Sequence, residues 1–199
     1  MGDKQELVSG IVAIEWNMFQ NVNSRGGRAS CQDDRQSFEL IRISNFLSLS
    51  EATLQSYMQD LEEAKVKGRN LLTEKYARME GIIPTLNPEA LPIIDKIVDI
   101  ECNWAVGLSE KYPYVYPARP VRSVEDTPYA VSSETYSRGE LETYSKRTLE
   151  LYYNDLQDMQ SQNINRLEVI YGNMVKRMGY ESLDQANEAQ RKRSQTGGG

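Results

Sequence analysis

Several charged side chains fall where helical spacing calls for apolar ones. Glu15 stands four residues after Ile11 and four before Phe19, so on a helix it shares their face. Glu101 repeats the pattern, with Ile97 and Ala105 four residues away and Ile94 and Leu108 seven away. Lys75 is spaced four from both Leu71 and Met79, Glu140 lies between Tyr136 and Tyr144, and Arg69 precedes Leu72 at the edge of the same seam. A buried, unpaired charge costs several kcal/mol, so these groups should meet one another or a ligand. The functional reading is a polar pocket at the centre of a helical bundle that binds a small charged molecule and moves protons on it. In that reading Glu15 or Glu101 transfers the proton, Glu140 adds a third inward carboxylate, and Lys75 sets the local potential or acts as base. Arg69 and Arg28 hold a substrate carboxylate or phosphate, with Ser30, Tyr136 and Tyr144 as further binding groups. The competing reading is a set of internal salt bridges and snorkelling side chains with no ligand.

Residues 24–31, Ser-Arg-Gly-Gly-Arg-Ala-Ser-Cys, end where a helix is expected to begin, and free backbone N–H groups there favour an anion. The Gly-Lys-Ser/Thr ending of a phosphate-binding loop is missing, so a plain turn competes with that reading. Cys31 in a first helical turn could be an activated thiol, but a packed thiol is the commoner case, and Cys102 reads as structural. The chain has no histidine, which removes histidine-based metal sites, the Ser-His-Asp triad and the usual Cys-His pair. A carboxylate-bridged metal site in a four-helix bundle normally uses Glu-x-x-His pairs, which are absent, leaving an oxygen-only Mg²⁺ site as a minor option. No metal and no cofactor are expected.

Positioning these groups requires helices, and the apolar spacing supplies them. Helices are expected over 7–19, from Ser30 to about Leu47, over 50–79, from Asn87-Pro88-Glu89 to about Leu108, over 132–159, over 162–178 and over 183–190. Ser30 with Asp33 resembles a capping box, Gly81 and Pro84 stop the third helix, and Gly179 closes the sixth. Residues 112–131 carry four prolines among several tyrosines and should form a long loop, either a lid or a surface crossover. The fold expected is all-α, a single irregular bundle of about six to seven helices over 1–193, with 194–199 as a disordered tail. No strands and no repeat of fixed period are read.

At 199 residues, 39% of them apolar, the chain can bury one substantial core. A formal net charge of −6 raises the cost of approaching a phosphate backbone, so nucleic acid is disfavoured. No apolar run is long enough to span a bilayer, neither a signal peptide nor a myristoylation start is read, and two distant cysteines suit a reducing compartment. The expected location is the cytoplasm.

Three stretches together carry a family resemblance: Ile14-Glu15-Trp16 through Gly26-Gly27-Arg28-Ala29-Ser30-Cys31-Gln32, Gly68-Arg69-Asn70-Leu71-Leu72 with Glu74-Lys75-Tyr76-Ala77-Arg78-Met79, and Glu134-Thr135-Tyr136 with Arg138-Gly139-Glu140-Leu141. They resemble the bacterial domain-of-unknown-function family 4125 over nearly the whole chain. The resemblance groups Glu15, the Gly-Gly-Arg loop, Arg69, Lys75 and Glu140 into one site and implies no particular reaction. Such families sometimes neighbour nucleotidyltransferase-like domains, whose helical partners include ribonucleases with an Arg-to-His signature. Here Lys75 or Tyr76 stands where that histidine would be, which argues against ribonuclease activity. The leading expectation is an enzyme acting on a small polar, amino-acid-like metabolite by carboxylate, Lys, Arg and Tyr acid–base chemistry. The alternative is a non-catalytic helical partner of a nucleotidyltransferase-like protein, and association with a second copy of the chain is left open.

Overall fold

The computed structural model describes residues 2–22, 27–117, 119–127 and 129–196. Residues 24–26 of the predicted anion-binding turn and the terminal Gly197 to Gly199 lie outside the described residues. Among the described residues the fold is all-α, with nine helices: α1 (Gly2–Gln20), α2 (Arg35–Phe46), α3 (Glu51–Val66), α4 (Leu71–Met79), α5 (Leu91–Lys111), α6 (Ser133–Leu141), α7 (Lys146–Ser161), α8 (Arg166–Arg177) and α9 (Leu183–Thr196).

The count exceeds the six to seven expected because two predicted helices are broken. The 50–79 stretch breaks at Gly68, which turns the chain at φ +65°, and Asn70 restarts it by accepting a hydrogen bond from the Thr73 amide. The 132–159 stretch breaks before Ser145, whose hydroxyl accepts from the Thr148 amide. Apolar spacing runs through both breaks, so periodicity alone joins the pieces. Two further boundaries move. Asp34, not Ser30, caps α2, so Ser30–Asp33 is a short 3-10 turn, and α9 continues to Thr196 instead of ending near Gln190. Between α5 and α6 the described residues form turns, a 3-10 turn at Ser123–Glu125 and one bridge between Thr127 and Ala130. Tyr112 and Tyr116 of this segment are buried in a small core with Leu108, Val175 and Leu183.

The helices also reveal an internal repeat, which corrects the expectation of none. α3 and α7 have equal length and share the pattern Ser-x-x-Thr-Leu-x-x-Tyr-x-x-Asp-Leu, with Ser50, Thr53, Leu54, Tyr57, Asp60 and Leu61 matching Ser145, Thr148, Leu149, Tyr152, Asp155 and Leu156. The same offset carries Gly68 onto Asn163, both at positive φ, and Asn70 onto Asn165, the caps of α4 and α8. A slightly shorter offset carries α1 onto α5 and Glu15 onto Glu101. It is fixed by equivalent bonds: the Asn70 side-chain amide donates to Met18 O at 2.8 Å, and that of Asn165 to Trp104 O at 3.0 Å.

Helix contacts exchange in the same way. α1 packs on α2, α3 and α4 as α5 packs on α6, α7 and α8, while α4 meets α6 as α8 meets α2. At the centre α3 and α7 cap each other. Asp155 accepts from the Ser50 amide and the Thr53 hydroxyl, and Asp60 accepts from the Ser145 amide. Helices α1 to α8 therefore form two four-helix halves joined as in an isologous dimer, written in one chain, with α9 packed on α8.

Candidate functional site

The apolar face of α1 delivers Glu15 into the interior with no exposed surface. Arg42 meets it from α2, with Nε 2.7 Å from Glu15 Oε2 and a terminal nitrogen 2.5 Å from Oε1, and the Tyr57 hydroxyl donates to Oε1 at 2.7 Å. This bidentate geometry is the strongest form of a carboxylate–guanidinium contact. Arg42 also reaches Glu140 of α6 at 2.9 and 3.2 Å and lies over the Phe46 ring. Glu140 accepts in addition from Lys75 Nζ of α4 at 2.5 Å and from the Tyr144 hydroxyl at 2.9 Å. Burial alone would push the Glu140 carboxyl up, but the Arg42 and Lys75 charges override it and hold it well below the usual carboxylate range. Tyr57 and Tyr144 are driven the other way, first by burial and then by the neighbouring carboxylates, so their hydroxyls stay protonated as donors.

In the second half Glu101 stands where Glu15 does. The Tyr152 hydroxyl donates to its Oε1 at 2.5 Å, Ser137 donates to Oε2, and Arg166 reaches Oε1 at 3.1 Å. Arg166 is 2% exposed and otherwise occupied by Ser48 Oγ at 2.8 Å, the Asn45 side chain and the Tyr152 ring. Glutamate with a buried tyrosine is thus common to both halves. The surrounding charges are not. By the same offset Lys75 corresponds to Ile170, Glu140 to Asn45, Tyr136 to Ile41 and Arg42 to Ser137, while Leu71 corresponds to Arg166.

Two open cavities adjoin, about 420 Å³ beside Glu15 and about 270 Å³ beside Glu101, each lined by residues of both halves. Arg42, Lys75, Arg119, Tyr136 and Glu140 line both and form the wall between them. The Arg119 guanidinium lies 4.6 Å from the centre of the Tyr136 ring, and Lys75 Nζ lies 5.6 Å from it. Among the described residues Arg119 makes no ion pair, and the Tyr136 hydroxyl has no hydrogen-bond partner within the protein. The wall therefore offers one uncompensated guanidinium, an ammonium and a free phenol to whatever enters. No three carboxylate or thiol side chains among the described residues converge so as to hold a metal ion.

The structure brings together Glu15, Lys75, Glu101, Glu140, Tyr136 and Tyr144, and it leaves Arg28, Ser30 and Arg69 elsewhere. Because Gly68 ends α3, Arg69 sits in the link rather than on a helix face, and it pairs bidentately with Glu74 at 2.8 and 2.6 Å. Arg28 folds back at the surface onto Asp33 and Gln20, and Ser30 is exposed in the 3-10 turn. Cys31 lies at the edge of the larger cavity, whereas Cys102 is buried and its thiol is pushed up to about 11, chiefly by burial. The residues that periodicity should have supplied are Arg42, four residues from both Phe38 and Phe46, and Arg166, four before Ile170. No sequence signal marks Arg119, since it lies in an irregular segment and reaches the wall only through the tertiary fold.

No curated protein and no solved structure matches the chain. Residues 5–188, spanning both halves and every residue of the wall, match one family model, and the chain belongs to that family, DUF4125, described as proteins of unknown function.

Proposed function

We propose that the wall between the two cavities is an acid–base site for a small anionic metabolite, with amino-acid-like molecules in the expected class. Arg119 carries this reading: it is a guanidinium facing a cavity with no carboxylate assigned to it among the described residues. Arg42 and Arg166 are consumed by Glu15, Glu140 and Glu101, so Arg119 takes the binding role first assigned to Arg28 and Arg69. Lys75 is the proton-transfer group, oriented by a Glu140 that is held ionised and is therefore a poor acid. Tyr136 donates a hydrogen bond to the ligand. Glu15 and Glu101, whose oxygens are all taken by protein donors, act as positioning residues. The Pro- and Tyr-rich segment brings Arg119 to the site and is anchored by Tyr112 and Tyr116 in the small core. The reading places the protein in the cytoplasm, in keeping with the absence, among the described residues, of any helix long and apolar enough to cross a membrane.

A thermal-shift panel of carboxylates, amino acids and phosphate esters tests the proposal. A specific ligand at 100 times its Kd adds about 2.7 kcal/mol of stability. Arg119→Ala should change the unliganded stability by no more than about 0.5 kcal/mol, as for an exposed side chain, yet remove the ligand response. A second reading, the non-catalytic partner module, draws on how completely the polar interior is satisfied. Among the described residues Ser44 Oγ is the one buried side-chain polar atom without a partner. Silence of wild type across the whole panel would favour it.

A further inference from the structure

The internal repeat separates what the fold requires from what a ligand requires. A feature present in both halves, such as Glu15 with Tyr57 and Glu101 with Tyr152, is accounted for by the packing of a four-helix unit. A feature present in one half only has no such account. Position by position, the cavity beside Glu101 has Ala105 and Ser133 where the one beside Glu15 has Phe19 and Phe38. The cavity beside Glu15 has therefore gained a pair of phenylalanines next to the cationic wall that both cavities share.

Its aromatic side is built as one surface. Phe19 stacks on Phe38 with centroids 5.2 Å apart and planes at 18°, Trp16 packs on Phe38 at 5.2 Å, and Tyr76 adjoins Phe19 at 6.2 Å. Leu71 and Leu72 complete the apolar lining. Lys75, Arg119 and Tyr136 line the same cavity, with Lys75 Nζ 5.8 Å from the centre of the Tyr76 ring. Arg119 has no carboxylate partner among the described residues and is open to one negative charge on a ligand, and a cavity of about 420 Å³ is of small-ligand size.

Resting on the function proposed above, we infer that the cavity beside Glu15 binds a monocarboxylate with an aromatic body, its carboxylate on Arg119 and Lys75 and its ring against Phe19 and Phe38. The cavity beside Glu101 shares Arg119 and Lys75 but has Ala105 and Ser133 in place of the two phenylalanines, so it lacks the surface that would take the ring.

Isothermal titration of the full-length chain with 3-phenylpropionate, hexanoate, acetate and 3-phenylpropanol tests this. The aryl carboxylate should bind at least about threefold more tightly than hexanoate, because ring-on-ring contacts add to area burial. Acetate and the neutral alcohol should each bind more weakly still. Arg119→Ala should weaken 3-phenylpropionate roughly ten- to a hundredfold, as expected for a lost charge-assisted hydrogen bond, and leave the alcohol unchanged. Phe38→Ala should weaken the aryl carboxylate and spare acetate. If that variant fails to fold, Ile41→Trp at the 47% exposed rim narrows the cavity and should give the same selective loss. Equal affinity for hexanoate and 3-phenylpropionate overturns the aromatic class and leaves the anion site standing. Equal affinity for the alcohol, or no change in Arg119→Ala, removes the carboxylate assignment. No binding of any of the four overturns both this inference and the function on which it rests.

Discussion

A buried guanidinium is tolerable only while a carboxylate faces it, and this governs what single substitutions do at the centre of the molecule. From periodicity alone, Glu101→Gln is expected to leave the fold intact, as for a side chain that serves a ligand. The structure assigns it a different consequence, since among the described residues Glu101 is the one carboxylate paired with Arg166. Glu101→Gln should cost about 3 kcal/mol, read as a lower urea midpoint at unchanged slope. Glu15→Gln should cost less, about 1 to 3 kcal/mol, because Arg42 keeps Glu140 as a second partner. If the Glu101 variant unfolds at the wild-type midpoint, the pair with Arg166 is not formed in solution.

At the scale of elements, the wall depends on how closely α4 and α6 approach. Gly139 of α6 permits it: a Cβ there would lie 2.8 Å from Met79 Cγ and 3.2 Å from Lys75 O. Gly139→Ala should therefore part the two helices that carry Lys75 and Glu140, costing about 1 to 3 kcal/mol and weakening any ligand response. The equivalent position in the first half is Ser44 of α2, whose buried hydroxyl has no partner among the described residues. Ser44→Ala should be neutral or stabilising by up to about 1 kcal/mol, since it removes an unsatisfied polar group without opening much space. In thermal melts the Gly139 variant should fall below wild type, and the Ser44 variant should not. The helix breaks were partly legible, since Gly68 before Asn70 and Ser145 before Thr148 are stop and start signals, but apolar spacing that continued across them concealed both.

For the molecule as a whole, the polar centre sets the limits of pH stability. Glu140 has a folded pKa below its ordinary value of 4.5, so its contribution is complete above that pH and is lost as the pH falls below it. Tyr57, Tyr144 and Tyr152 have folded values raised well above 10.0, so their contribution is complete below pH 10 and is lost as the pH rises beyond it. Chemical denaturation across pH should give a plateau with two falling limbs, and Glu140→Gln should flatten the acid limb alone. Helical class and the inward faces of Glu15, Lys75, Glu101 and Glu140 were determined by the sequence itself, because side-chain direction on a helix follows from residue spacing alone. Partnership was decided only in three dimensions: Arg42 with Glu15, Arg166 with Glu101, Arg69 turned away toward Glu74, and Arg119 carried onto Tyr136 from an irregular segment. Spacing fixes the side of a helix on which a charge emerges, whereas the helix it then meets depends on how the two halves pack.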